Sequence, residues 1–250
     1  MSIKTISLLA VASLASAATT NTNLQTTFPK PSGTTNLAAV KTVAAGGSLD
    51  GGMYQWDRSP STCSDQAEGG DADAVFILED GATLSNVVIG PNNGEGVHCL
   101  GKCTLNNVWW TDVCEDAATF KQSSGTSYVN GGGARGAADK VFQHNGAGTV
   151  AVKNFYATNI GKLYRSCGNC ATQHARSSTF TNVRVEGAKV VAGVNANYGD
   201  STTIKDSCVK NSSICWIYQG TSDNSKEPTK IGSGPTGTAC VASAVKTSGC

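Results

Sequence analysis

Thr83-Leu84-Ser85-Asn86-Val87-Val88-Ile89 and Thr104-Leu105-Asn106-Asn107-Val108-Trp109-Trp110 are one motif written twice. Each is a short strand pattern with an asparagine in its middle. A weaker copy, Ser127-Tyr128-Val129-Asn130, follows. Then come Val150-Ala151-Val152-Lys153-Asn154-Phe155-Tyr156, Ser178-Thr179-Phe180-Thr181-Asn182-Val183-Arg184-Val185 and Thr203-Ile204-Lys205-Asp206-Ser207-Cys208-Val209. Anchored on the Asn or Asp, the copies stand at 86, 107, 130, 154, 182 and 206, a period in the low to high twenties. Strand-bearing repeats at such a period mark a solenoid. Apolar residues at alternate strand positions point into a shared interior. The asparagine closes a bend, so that stacked asparagines bond from coil to coil. The pattern therefore predicts an all-β chain, a single-domain right-handed parallel β-helix. A leucine-rich repeat would carry a shorter, leucine-dominated consensus, and a β-sandwich would not need the asparagine register.

Outward from the repeats, the chain divides simply. Residues 1–17 read as a secretory signal peptide. Lys4 supplies the charge, Ile6 to Leu14 the apolar stretch and Ala15-Ser16-Ala17 the cleavage pattern. Residues 18–37 are rich in Thr, Asn and Pro and read as a loose N-terminal arm. Residues 38–222 form the β-helix. Residues 223–250 lose the pattern and read as a tail that Cys240 and Cys250 tie to the body or to each other. A net charge of +1 gives no case for nucleic acid or for an anionic membrane. The chain is expected to be secreted, extracellular and monomeric. Export implies an oxidising destination, so the ten cysteines are expected to be mostly disulfide-bonded, with the pairing open. Asn211-Ser212-Ser213 is an N-glycosylation sequon.

Three groups of residues carry chemistry. Glu115-Asp116 follows a strand directly, and such a pair is either a solvated turn or an oxygen-rich site for a hard cation such as Ca²⁺. Lys140, Lys162 and Arg165 fall on neighbouring coils. Cys167-x-x-Cys170 with His174 nearby reads as a disulfide, with zinc as the alternative; a redox pair would need a thioredoxin-like βαβ setting. Cys99 and Cys103 invite the same disulfide reading. His144 reads as a hydrogen-bonded turn residue, and no Gly-x-Ser-x-Gly supports a hydrolase triad.

The stretch GVHCLGKCTLNNVWWTDVCEDAATFK, residues 96–121, resembles the signature of the pectate lyases of polysaccharide lyase family 3. The likeness continues in Phe76–Leu84, in Asp139–Gly146 and in Gly161–Cys170, and covers roughly residues 40 to 220. It implies the same β-helix and a calcium-dependent pectate lyase acting on de-esterified homogalacturonan (polygalacturonate) by β-elimination. It further implies that Glu95, Glu115 and Asp116 hold Ca²⁺, although the family commonly places Asp where this chain has Glu95. Lys140 would be the proton-abstracting base, with Lys162 and Arg165 holding the substrate carboxylate and Arg165 the rival for base. Glu68 would add a carboxylate to the cleft. The alternatives are a β-helical polygalacturonase, for which the basic set has no role, and a non-catalytic pectin-binding or host-interaction protein.

Overall fold

A computed structural model describes residues 20–250; the expected signal peptide lies outside the described residues. The strands wind as the repeats predict, as a parallel β-solenoid. One face stacks Ala82–Ile89, Cys103–Trp110, Thr126–Arg135, Gly148–Lys153, Arg176–Thr181 and Ser201–Lys210, each parallel to the next. A second face stacks Phe76–Leu78, Val97–Cys99, Asp116–Phe120, Lys140–His144, Tyr156–Ser166, Arg184–Asn195 and Ser213–Gln219.

The in-register pairs explain why the interior is dry. Leu84, Leu105, Val129, Val152, Phe180 and Ile204 sit directly above one another, and all are buried. Alternation puts every second side chain inside, and parallel stacking repeats that choice on each coil. Each such side chain contributes roughly 1.5–3 kcal/mol on burial.

Between faces the chain turns through the left-handed region. Asn86, Asn107, Asn154, Asn182 and Asp206 occupy this corner with φ between 51° and 58°. Asn and Asp accept that conformation more readily than other side-chain-bearing residues. The corner is also bonded: Asn107 Nδ2 donates to Asn86 Oδ1 at 2.9 Å, and Asn182 Nδ2 to Asn154 Oδ1 at 2.8 Å. One rung differs from the expected register. Asn130 pairs with Asn106, not with Asn107, and donates to Asn106 Oδ1 at 2.9 Å. The corner rung is Gly131, at φ 69°. With no Cβ, glycine takes the left-handed turn at no steric cost, so the adjacent asparagine is released to the strand. Asn211 of the sequon is exposed at another left-handed corner.

The two ends are more ordered than their composition suggests. In the expected loose arm, Thr34–Leu37 already pairs with Gln55–Arg58. Phe28 meets Trp109 edge-on with ring centroids 5.1 Å apart, and Arg135 lies over the Phe28 ring at 4.5 Å. Asn154 Nδ2 donates to the carbonyl of Thr22 at 2.8 Å. In the tail, Thr229–Gly234 pairs antiparallel with Ser213–Gln219, and Cys240–Lys246 extends the first face parallel to Ser201–Lys210. Ala244 takes the corner at φ 50°. An alanine rung and small strand residues hid this last coil from the repeat pattern. All ten cysteines are paired, and the tail is tied to the body by Cys208–Cys250 and Cys215–Cys240. No helix among the described residues is long and apolar enough to cross a membrane.

Candidate active site

Three charged residues share one register position on the second face. Asp116 pairs with Lys140, and Lys140 with Lys162, each at or near the start of its straight run. Val97 pairs with Ala118, so the same register sets Glu95 beside Asp116 one coil earlier. Gly96, at φ 55°, makes the turn between Glu95 and its strand. Residues far apart in the chain are thus stacked into one small volume by coil geometry alone.

Glu95, Glu115 and Asp116 are all buried, and each offers an oxygen within 4.8 Å of the others. Glu115 Oε2 and Asp116 Oδ1 are buried without a hydrogen-bond partner. Leaving such atoms dry and unpaired is costly. Burial pushes the Asp116 carboxyl well up against the pull of Lys140, and Glu115 adds to the rise. An all-oxygen donor set with unspent lone pairs fits a hard cation such as Ca²⁺.

Lys140 Nζ reaches into this cluster. It lies 3.0 Å from Glu115 Oε1, 3.4 Å from Asp116 Oδ1 and 2.8 Å from Asp139 Oδ2. Burial alone would lower its pKa, but Asp116, Glu115 and Asp139 together hold it above the ordinary lysine range. Lys162 Nζ is paired with Asp139 Oδ1. Arg165 is buried: its Nη1 donates to Ser166 O at 2.7 Å and Asn195 Oδ1 at 2.9 Å, while Nη2 has no partner. The guanidinium lies 3.9 Å over the Tyr218 ring. Burial lowers the Arg165 pKa.

A cleft of about 350 Å³ runs along this face, lined in part by Glu68, Lys140, Lys162, Arg165, Gln143 and Tyr218. The acidic trio joins it through Lys140. Glu68 stands on an exposed loop, and its carboxyl is raised first by desolvation and then by the charge of Glu115. The structure therefore brings together all seven candidates from the sequence. Asp139, Gln143 and Tyr218 were not singled out as site residues. Asp139 had a readable signal, since it precedes Lys140 directly. Tyr218 had none, because its strand, Ser213–Gln219, falls outside the repeat copies.

Residues 25–225 match the family model described as pectate lyase. The chain belongs to the pectate lyase family. Pectate lyase E of Emericella nidulans is 51% identical over 211 residues, covering 83% of this chain and 82% of that protein. Probable pectate lyase E of Neosartorya fischeri is 51% identical over 209 residues, with 83% and 82% covered. Among solved structures, the catalytic domain of pectate lyase PelI from Erwinia chrysanthemi superposes with a TM-score of 0.70 at 32% identity, covering 87% of this chain and 98% of that one. PelI in complex with tetragalacturonic acid gives a TM-score of 0.69 at 34% identity, covering 87% and 70%. The pectate lyase family accounts for the fold and the enzyme class.

The remaining candidates have structural work. His144 is fully buried in its strand rather than in a turn. Its ring pairs with Tyr164 Oη at 2.8 Å and the Ala147 carbonyl at 3.2 Å, and burial depresses its pKa to about 4. Cys167–Cys170 and Cys99–Cys103 are disulfides, which removes the zinc reading.

Proposed function

We propose that this lyase cleaves polygalacturonate by calcium-dependent β-elimination, with Lys140 as the base. The observation that carries the reading is the contact between two sets. A buried, oxygen-only trio with unpaired lone pairs abuts three cations in one cleft.

Glu95, Glu115 and Asp116 would hold Ca²⁺. When bound, the ion would supply positive charge that draws electron density from a galacturonate carboxylate and acidifies its neighbouring C5 proton. Arg165 offers its unpaired Nη2 to that carboxylate, and Lys162 adds a second cation against the enolate-like charge that develops. Lys140 takes the C5 proton. The C4–O4 bond then breaks, O4 leaves with the electron pair, and a C4–C5 double bond remains. Engaging Glu115 and Asp116 elsewhere moves Lys140 toward this task, because their charge is the largest part of what favours its ammonium form, with Asp139 adding to it.

Arg165 remains the rival base, supported by its buried guanidinium and depressed pKa. Against it stands the very low acidity of a guanidinium. Secretion and a monomeric state complete the proposal. The test is to incubate the protein with polygalacturonate and calcium and to follow ultraviolet absorbance from the unsaturated product. Reducing sugar ends without that absorbance would indicate hydrolysis and overturn the reading.

A further inference from the structure

Glu95 poses a problem that Asp would not. It is one methylene longer, so its carboxylate has an additional rotor to fix before it can serve as a ligand. It also lies between two glycines, Gly94 and Gly96. Yet it is buried, and both of its oxygens are gripped. The amide of Gly69 donates to Oε1 at 2.7 Å. His98 Nε2 lies 3.0 Å from Oε2.

His98 is itself held. It is 2% exposed, on the strand Val97–Cys99. Its Nδ1 is 2.6 Å from Asp71 Oδ1 and 3.1 Å from Lys121 Nζ, and Lys121 Nζ is 2.6 Å from Asp71 Oδ1. Asp71 opens the 3-10 turn Asp71–Asp73, two residues after Gly69. The same loop thus grips Glu95 twice, once by its own amide and once through Asp71 and His98. It is anchored beside the site by Cys63–Cys114, and Cys114 precedes Glu115 directly.

We propose that His98, oriented by Asp71 and Lys121, is a positioning residue that presents Glu95 to the cation and sets calcium affinity. The inference rests on the calcium reading given above. With the proton on Nε2, the ring donates to Glu95 Oε2. Each carboxylate oxygen has a further lone pair, so a donated bond fixes the group while leaving it able to ligate. Outer partners of this kind typically alter metal affinity by about 10- to 100-fold. The loop Gly69–Asp73 and His98 together fix the Glu95 carboxylate.

Calorimetric titration of the cation-free protein with CaCl₂ tests this, beside His98→Ala, His98→Gln and His98→Asn. Glutamine places its amide nitrogen near the Nε2 position, whereas asparagine reaches only the Nδ1 position. The expected result is calcium affinity weakened about 10-fold or more for His98→Ala and His98→Asn, with His98→Gln within about threefold of the unmodified protein. Circular dichroism confirms folding, and the Gln and Asn pair carries the comparison if the alanine variant does not fold. Unchanged affinity in His98→Ala, or equal losses for Gln and Asn, would overturn the inference. No calcium binding by the unmodified protein would instead overturn the calcium reading itself.

Discussion

Lys140 Nζ and Glu115 Oε1 are 3.0 Å apart, so the proposed base sits on a proposed metal ligand. An ammonium and a divalent cation compete for the same negative charge. Lys140→Ala is therefore expected to tighten calcium binding while cutting turnover by about 10²–10⁴, the usual worth of a general base. Lys140→Arg should not rescue turnover. Calorimetry and product absorbance on the same samples check both halves. Weaker calcium binding in Lys140→Ala would contradict the competition.

Removing the cation leaves Glu115 and Asp116 with Lys140 as their cationic neighbour. Chelation is expected to abolish activity, Ca²⁺ to restore it, and Zn²⁺ to restore it poorly, because oxygen-only sites suit hard cations. Full turnover in excess chelator would end the calcium proposal.

Arg165 is fixed by Ser166 O, Asn195 Oδ1 and the Tyr218 ring. Lysine has neither the fork nor the flat face needed for those contacts. Arg165→Lys is expected to raise KM as well as to lower kcat. If Arg165→Lys lost nearly all turnover while Lys140→Ala kept most of it, the role of base would pass to Arg165.

His144 gives a pH signature unrelated to catalysis. Its folded pKa, about 4, is depressed below the ordinary histidine value of 6.5 by burial. The neutral ring is favoured in the folded protein, so the contribution is fully present above pH ~6.5 and is lost as pH falls toward about 4. The shift corresponds to about 3 kcal/mol at most. Melting temperature should decline across that window, and His144→Gln should flatten that part of the decline. An unchanged slope in the variant would remove His144 as its source.

Gly132 tests how tightly the coils are stacked. At φ 92°, an added Cβ would lie 2.0 Å from the carbonyl oxygen of Val108. Gly132→Ala is expected to lower the melting temperature by more than about 10 °C or to prevent folding, since strain and clash act together. A melting temperature within about 2 °C of the unmodified protein would refute this.

The β-helix was readable because Leu84, Leu105, Val129 and Val152 recur with a polar corner residue behind each. A coil written in that alphabet announces itself. Gly131 and Ala244 take the same corner without the asparagine that marks it, so one rung was displaced and the last coil passed for a loose tail. The charged site was readable where the family motif spelled it out, in Glu115-Asp116, Lys140, Lys162 and Arg165. Tyr218 and the grip of His98 on Glu95 arise from folding between segments. Phe28 likewise gains its meaning only when Trp109 lies beneath it. No local pattern encodes such meetings.

A stack of parallel strands has an open end, and an open end is a template for another chain. Thr229–Gly234 answers this by running backward along Ser213–Gln219. A coil arriving in the parallel sense would meet a strand of opposite polarity there. The two bridges Cys208–Cys250 and Cys215–Cys240 prevent this cover from peeling away. Thr229–Gly234 therefore acts as a stopper on the second face: it ends the parallel winding there in one molecule and denies that edge to the next.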